Sequence, residues 1–195
     1  MQVKALFSTW FAVAGSLLLC AVPQANAQDD SAKIQATLRE KAKGVTYPLF
    51  NGQNLQGWKT LGCEVAVENG KLVITGGDGF LRSESRYRDF VLELDYKPRK
   101  TEKYDSGIYL RAEEPEAGKP FPKQYQVNLK QGDELNLIRY PKGRSMGLVK
   151  PGDWNHVKLT VIGGQAACEI NGQEAWATDG IEAEEGYVGL QVEVP

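Results

Sequence analysis

The stretch Phe90-Val-Leu-Glu-Leu-Asp-Tyr96 decides the fold, because every second residue in it is large and apolar. The positions between these residues include Glu93 and Asp95. Side chains on a β-strand alternate between the two faces of its sheet, so this pattern predicts a strand with one buried and one solvated face. Residues 157–161 show the same alternation and are predicted to form another strand.

Turn signals surround these predicted strands. Residues 67–72 are predicted to form a strand, a tight turn and a second strand, and no periodic segment of helix length follows residue 47. Many short strands joined by tight turns are typical of a β-sandwich or β-barrel, so the predicted fold class is all-β. The hairpin-type dipeptides are Asn51-Gly52, Asn69-Gly70, Gly76-Gly77, Gly163-Gly164 and Asn171-Gly172.

The longest irregular segment of this region runs over residues 113–122. It carries Pro115, Pro120 and Pro122, and prolines interrupt the hydrogen-bonding ladder of a strand. We expect a loop that covers one end or one face of the sheet. Loops of this kind often border binding sites, although most are simple connections.

The first 27 residues have the pattern of a secretory signal peptide. Lys4 is followed by an apolar run over residues 5–22 and by Ala25-Asn26-Ala27, the small-x-small pattern at which signal peptidase cuts. The run is long enough for a membrane anchor, but the cleavage pattern and the polar sequence after it favour cleavage behind Ala27. We expect a secreted or periplasmic protein, with residues 47–195 as the domain. Residues 28–46 are expected to be a polar tether, with at most a frayed helix, because Ile34 and Leu38 alone have helical spacing.

Composition limits the partners. A net charge of −2 argues against nucleic acid, and we expect no membrane contact after signal cleavage. With one histidine and no C-x-x-C pair, we expect no metal site and no cofactor. Two cysteines remain after cleavage, Cys63 and Cys168, and either a disulfide or two buried thiols fits an exported protein. The oligomeric state is left open.

The alternation also predicts which side chains share a face. Along residues 106–111, 124–129 and 188–193, every second residue is apolar and is assigned to the core. If these three strands are neighbours, the opposite face of their sheet carries seven polar or aromatic side chains. These are Tyr109, Arg111, Gln124, Gln126, Asn128, Gln191 and Glu193.

This set of side chains suits a sugar. Saccharides present hydroxyl groups that both donate and accept hydrogen bonds, above weakly apolar C–H faces. Amides, carboxylates and guanidinium groups bind the hydroxyls, and an aromatic ring packs on the C–H face. One polar face is also expected of any antiparallel sheet that is solvated on one side, so a simple solvated surface is the alternative.

At this point the motifs resemble those of the 3-keto-disaccharide hydrolase domain family, within the concanavalin A-like lectin/glucanase superfamily. The opening stretch of residues 49–58, L-F-N-G-Q-N-L-Q-G-W, is similar to the family's F-N-G-x-x-L-x-G-W. Further similar motifs follow in the family's order over nearly all of residues 47–193. They include Asp105-Ser-Gly-Ile-Tyr-Leu-Arg111, Tyr125-Gln-Val127, Gly152-Asp-Trp-Asn155 and Gly186-Tyr-Val-Gly-Leu-Gln191.

The resemblance implies a jelly-roll β-sandwich of two antiparallel sheets that cleaves glycosides oxidised at the 3-position of the sugar. It implies a base for the C–H beside the ketone and a donor for the enolate oxygen. Arg111, Gln126 and Glu193 match motif positions and are the expected catalytic residues. The expected substrate-binding residues are Tyr109, Gln124, Asn128 and Gln191.

The chain departs from the family pattern in three places. Gln124 and Leu129 stand where family members commonly carry acids, which leaves Glu193 as the expected base, and Asp105 replaces an asparagine. The sequence also ends at Pro195, before an expected last strand, so either a fragment or a shortened domain is expected. Three functions follow: a glycoside-cleaving enzyme, a non-catalytic carbohydrate-binding module, or a β-domain with a solvated polar face.

Overall fold

The computed structural model describes residues 27–42, 44, 46–140, 143–145 and 147–193. Almost all regular structure is β, with one helix at the start of the described region. The elements are α1 (Ala27–Lys41), β1 (Trp58–Glu68), β2 (Lys71–Tyr87), β3 (Phe90–Tyr96), β4 (Asp105–Ala112), β5 (Gln126–Asn128), β6 (Asn155–Ile162), β7 (Gln165–Ile170), β8 (Gln173–Asp179) and β9 (Gly186–Glu193). The predicted signal peptide lies outside the described residues, apart from Ala27.

Two antiparallel sheets form a sandwich, so the predicted fold class is confirmed. One sheet has five strands in the order β1-β2-β9-β4-β5, and the other has four in the order β3-β6-β7-β8. The sequence-predicted strands at residues 90–96 and 157–161 are neighbours, as β3 and β6, in the four-stranded sheet. The strands predicted to carry the polar face are also neighbours, because β9, β4 and β5 lie side by side.

The β1-β2 hairpin shows how the turn residues act. Asn69 and Gly70 adopt φ angles of 51° and 74°. Two successive residues with positive φ make the turn that matches the right-handed twist of paired strands, and Asn-Gly is the dipeptide that favours it. The pairing of Glu68 with Lys71 then closes the hairpin as the sequence predicts.

The main core lies between the two sheets. It takes the inward residues of β4 and β5 from one sheet and those of β6 and β7 from the other, and Trp176 of β8 closes one side. The indole N–H of Trp176 donates to the carbonyl oxygen of Leu135 at 2.9 Å, so the buried ring keeps a hydrogen-bond partner. The long segment between β5 and β6 is thereby tied to the core.

The structure corrects the prediction of a polar tether over residues 28–46. Most of this segment forms α1, which packs on the outer face of the four-stranded sheet through Ile34 and Leu38. Gln35 is also buried, and its amide donates to the carbonyl oxygen of Trp176 at 3.0 Å. Only these two apolar residues face the sheet, which explains why their helical spacing indicated a frayed helix and not a docked one.

On the side of β1 and β3 the sheets leave a cleft of about 1960 Å³, and its lining includes apolar residues of β2 and β3. Cys63 and Cys168 are both free thiols and lie on strands of different sheets. Within the described part of the chain, no helix is long and apolar enough to cross a membrane.

Candidate functional site

The outer face of the five-stranded sheet brings the predicted polar residues together. Across β9, β4 and β5, the antiparallel register places Gln191 opposite Gly107 and Gly107 opposite Asn128. One step further along β4, Tyr109 lies opposite Gln126. Residues directly opposite each other share a face, so these side chains form two adjacent rows across the strands.

A continuous chain of hydrogen bonds runs over this face, from Tyr109 to Glu193. The hydroxyl of Tyr109 donates to Oε1 of Gln126 at 3.0 Å, and Nε2 of Gln126 donates to Oε1 of Gln191 at 2.5 Å. Nε2 of Gln191 then donates to Oε2 of Glu193 at 2.7 Å. Every donor points toward Glu193, so the bonds polarise one another and fix the orientation of that carboxylate.

Glycine makes the middle of this chain possible. A Cβ on Gly107 would lie 2.5 Å from Nε2 of Gln126, because the Gln126 side chain crosses over β4 to reach Gln191 on β9. A Cβ on Gly189 would similarly lie 2.2 Å from the ring of Phe80, which crosses β9 to contact Tyr109 edge-to-face. The glycines of the S-G-I-Y and V-G-L-Q motifs therefore have a structural role in building the site.

A row of four charged side chains lies at the end of the chain of hydrogen bonds. Glu193 of β9 is paired in register with Asp78 of β2 on one side and with Asp105 of β4 on the other. Lys130, just beyond β5, forms an ion pair with Asp105 at 2.9 Å. Within the described part of the chain, no group of three or more His, Cys, Asp or Glu side chains could hold a metal ion.

The charges of this row perturb one another. Burial, followed by the negative charges of Asp105 and Asp78, raises the pKa of Glu193 above its ordinary value, and Lys130 opposes this rise. The hydrogen bond and charge of Asp105 raise the pKa of Lys130. Glu193 is thus a stronger base than an ordinary glutamate, beside a lysine that keeps its positive charge.

The structure gives Tyr109 a different role from the expected sugar platform. Tyr109 is only 1% exposed. It packs with Phe80 and Ala112, and Phe121 of the proline-containing loop covers it. Burial, with the charges of Glu193 and Asp105 as smaller causes, raises the pKa of its hydroxyl. Tyr109 therefore contributes to the site as the first donor of the hydrogen-bond chain and not as a sugar platform.

Two other predicted binding residues also have specific places. Asn128 is buried, and its amide donates to Oδ2 of Asp133 at 2.8 Å, which holds the loop that follows β5. Gln124 precedes β5 rather than belonging to it, and its exposed side chain lines a cavity next to Gln126. Asn128 therefore shapes the loop, whereas Gln124 is available to a ligand.

Arg111 does not lie on this face, which corrects the sequence prediction. Its φ of 47° is in the left-handed region, and the pairing of β4 with β9 shifts register between Tyr109 and Ala112. A bulge of this kind breaks the alternation of side chains, so the parity rule fails at this position. Its residue is only 2% exposed.

The guanidinium of Arg111 links three loops at one end of the sandwich, namely those between β2 and β3, between β6 and β7, and between β8 and β9. Nε donates to the carbonyl oxygen of Arg88 at 2.5 Å, and Nη1 donates to those of Gly163 and Ala183, both at 2.7 Å. Nη2 forms an ion pair with Asp89 at 2.9 Å. Burial lowers the pKa of Arg111, and the charge of Asp89 opposes this effect. These contacts use every nitrogen of the group for fold stabilisation.

The loop over residues 113–122 is fixed at its start, close to the site. Glu113 receives a bidentate pair of hydrogen bonds from Arg86, at 2.8 and 2.5 Å. Glu114 accepts from Arg82, whose guanidinium lies 3.9 Å from the ring centre of Tyr187. The loop thus has a defined position from which it encloses one side of a cavity.

That cavity has a volume of about 330 Å³ and lies beside Tyr109 and Gln126. The proline-containing loop forms one wall, and residues 138–140 form another. Glu193 does not line the cavity, because the charged row lies two rows further along the strands. The site therefore consists of a partly open cavity at Gln126 and a charged row at Glu193, joined by the hydrogen-bond chain.

The sequence prediction missed Asp78, Asp105 and Lys130. Asp78 and Asp105 lie near glycines, a sequence context that is typical of turns and that gives no cation-binding spacing. The sequence did contain a usable signal. Asp105 lies an even number of residues from Tyr109, and Asp78 from Phe80, so each aspartate shares a sheet face with that aromatic residue. Lys130 continues the β4-β5 pairing beyond the last strand residue, as shown by the hydrogen bond from Leu129 N to Ser106 O at 2.8 Å.

Sequence comparison decides the family. Residues 46–195 match the sequence profile of the 3-keto-alpha-glucoside-1,2-lyase-like domain family. The chain belongs to this family. No curated protein sequence matches the chain.

Solved structures show the same fold at low sequence identity. Two come from Parabacteroides distasonis ATCC 8503 and are provisionally assigned as glycosyl hydrolases, each 18% identical to the chain. Their TM-scores are 0.58 and 0.59, covering 80% and 76% of this chain and 89% and 91% of theirs. The carbohydrate-binding module CBM66 from Bacillus subtilis is also 18% identical, with a TM-score of 0.51, covering 71% of this chain and 89% of that one.

Proposed function

We propose that this member of the 3-keto-alpha-glucoside-1,2-lyase-like family cleaves 3-keto-glycosides, with Glu193 as the base. The observation that carries the proposal is the Glu193 carboxylate, whose pKa is raised and whose orientation is fixed by Gln191. A general base works best when its pKa approaches the working pH, and burial beside other acids moves a carboxylate in that direction.

The chemistry requires one proton to move twice. A ketone at C3 acidifies the C2–H bond, and Glu193 takes that proton while the electron pair of the bond enters the enolate. The enolate then expels the oxygen of the aglycone from C1, and the protonated Glu193 returns the proton to it. The products are an unsaturated keto sugar and the free aglycone, and later addition of water to the double bond completes a net hydrolysis.

In this proposal Lys130, and not Arg111, supplies the positive charge that stabilises the enolate oxygen. Its ammonium lies in the same row as Glu193, close enough for the two charges to influence each other's pKa. An ammonium in this position stabilises the negative charge that develops on the enolate oxygen. Asp105 holds the ammonium through their ion pair.

A second function has its own support. The cavity at Gln126 contains no carboxylate of the charged row, and Gln124 and Gln126 supply amides that suit sugar hydroxyls. This arrangement favours a non-catalytic carbohydrate-binding module. The likeness to a carbohydrate-binding module from Bacillus subtilis agrees with this candidate at the level of the fold.

A matched pair of substrates separates the two functions. The protein is incubated with a 3-keto-glycoside and with its unoxidised parent, and release of the aglycone is followed. We expect turnover of the keto form alone, reduced at least about a hundredfold by Glu193→Gln, since general bases contribute roughly 10²–10⁴-fold. Glu93→Gln removes an exposed carboxylate from the other sheet and serves as the control. Saturable binding without turnover would leave the binding module as the function.

We also propose that the protein is exported through cleavage after Ala27. The motif Ala25-Asn26-Ala27 at the end of an apolar run supports this proposal. The test is N-terminal sequencing of the protein isolated from its native cells. We expect a mature chain that begins at Gln28, whereas a chain that keeps residues 5–22 would contradict export by this route.

A further inference from the structure

The walls of the cavity at Gln126 carry an excess of positive charge. Three of its lining side chains are cationic, and Glu116 is its one acidic lining residue. Glu116 is already paired with Lys123, at 2.5 Å. Among the residues that the structure describes, no carboxylate forms an ion pair with the other two cations, Lys119 and Arg139. The cavity therefore presents two positive charges without an internal partner.

The backbone holds Arg139 in place at the cavity wall. Its φ of 70° lies in the left-handed region, which a long side chain seldom adopts and which costs of order 1–3 kcal/mol. Two neighbouring hydrogen bonds maintain this turn: Ile138 N donates to the carbonyl oxygen of Gln126 at 2.9 Å, and Tyr140 N donates to that of Leu137 at 3.3 Å. Strain of this kind persists where the surrounding structure imposes it, and it is concentrated at ligand sites.

Lys119 is also placed by a fixed element. It belongs to the proline-containing loop, which is anchored by the ion pairs of Glu113 and Glu114 with strand arginines. Its own backbone N–H donates to the carbonyl oxygen of Glu116 at 2.9 Å, which closes a turn within the loop. Both unpaired cations therefore stand on backbone whose position is defined before any ligand arrives.

The rest of the lining suits a sugar ring. Tyr140 contributes a partly exposed aromatic ring, and Gln124 and Gln126 contribute amides. A volume of about 330 Å³ lies at the lower end of the range found for small-molecule sites, about 300–1,000 Å³. A single sugar residue with one substituent is an occupant of matching size and chemistry.

We propose that this cavity selects a saccharide with an acidic substituent, either a carboxylate or a sulfate, which Lys119 and Arg139 bind. The inference rests on the proposed action of the site on carbohydrates and names the class of sugar that it accepts. A guanidinium binds a carboxylate or a sulfate oxygen pair with two parallel hydrogen bonds, and an ammonium adds a point charge.

The test compares three disaccharides of the same linkage: one neutral, one with a uronic acid, and one with a sulfate group. Affinities are measured by titration calorimetry at low and at high salt. We expect the acidic sugars to bind about tenfold more tightly than the neutral one at low salt, since charge-assisted hydrogen bonds are stronger than neutral ones. The preference should shrink at high salt, where exposed charges are screened. The tighter of the two acidic ligands identifies the substituent.

Substitutions show which residues cause the preference for acidic sugars. Arg139→Gln and Lys119→Gln should each reduce the preference for acidic sugars about threefold, measured as the ratio of acidic to neutral affinity in the same variant. Lys103→Gln is the matched control, because Lys103 is also exposed, also has a positive φ of 52°, and does not line the cavity. A preference that survives both cavity substitutions overturns the proposal.

The possible failures are distinguishable. Equal affinity for neutral and acidic sugars overturns this inference and leaves the proposed function intact. Absence of any sugar binding together with absence of turnover on keto-glycosides overturns both. Selective binding of acidic sugars without turnover supports the inference and assigns the site to a binding module.

Discussion

Replacing Arg111 with alanine should lower the free energy of unfolding without weakening the affinity for a sugar. The guanidinium is buried, and it donates to carbonyl oxygens of three separate connections at 2.5 to 2.7 Å. Each hydrogen bond to a charged group contributes about 1.5–3 kcal/mol. The cost of burying the cation and the access of water to the freed carbonyls offset part of that sum. We therefore expect a net loss of about 3 kcal/mol.

The assay is equilibrium unfolding in urea, followed by sugar binding under conditions where the variant is folded. A loss of this size corresponds to a fall in melting temperature of roughly 6–12 °C for a domain of this length. Arg88→Ala is the matched control, because Arg88 is an exposed neighbour whose ion pair with Glu184 is at the surface. That control should change stability by less than about 1 kcal/mol.

The outcome discriminates between two roles for this residue. If Arg111→Ala keeps the stability of the wild type but loses turnover or binding, the guanidinium acts on the ligand and the structural role derived from its contacts is wrong. If it loses stability while the folded fraction binds sugar within about twofold of the wild type, Arg111 is a positioning element of the fold.

Three further substitutions test other parts of the structure. Gly107→Ala places a methyl group 2.5 Å from the Gln126 amide nitrogen, so we expect up to a tenfold loss of turnover or sugar affinity with an unchanged circular dichroism spectrum. Leu38→Ala leaves a void under α1, and urea unfolding should show a loss of about 2–5 kcal/mol. Glu193 has a raised pKa, so the folded state binds more protons than the unfolded state between pH 4.5 and the raised pKa. Its contribution to stability therefore falls as pH rises through this window, and Glu193→Gln should raise the melting temperature at pH 7 by roughly 1–3 °C and weaken its pH dependence. An unchanged pH profile of stability would contradict the Glu193 assignment, and a wild-type response to the other two changes would contradict the contacts drawn from the structure.

The alternation of side chains along each strand predicted the faces correctly wherever the strand backbone is regular. It correctly placed Tyr109, Gln126, Gln191 and Glu193 on one face, because β4, β5 and β9 are regular at these positions. It failed at Arg111, where one residue with positive φ turns the side chain away. No sequence pattern distinguishes such a residue from its neighbours, since its backbone conformation is imposed by tertiary contacts.

The other differences between the prediction and the structure arise because residues far apart in the sequence meet in the fold. Whether Tyr109 is a platform or a buried donor depends on Phe121, which comes from a loop whose path the sequence did not predict. The charged row was missed because Asp105 and Lys130 meet only through the pairing of separate segments. The cavity likewise requires the loop and residues 138–140 to meet, which no local pattern encodes.

The packing of α1 has a consequence for the order in which the chain folds. Its contacts join residues far apart in sequence: Gln35 bonds to Trp176 across 141 positions, and Ser31 bonds to Ala177 across 146. Contacts of such separation form late and slow the approach to the native state, because a long loop must be closed first. Helix α1 therefore has no complete surface to dock on until strands β7 and β8 have been synthesised. A fragment that stops before residue 165 lacks both strands and leaves this helix undocked.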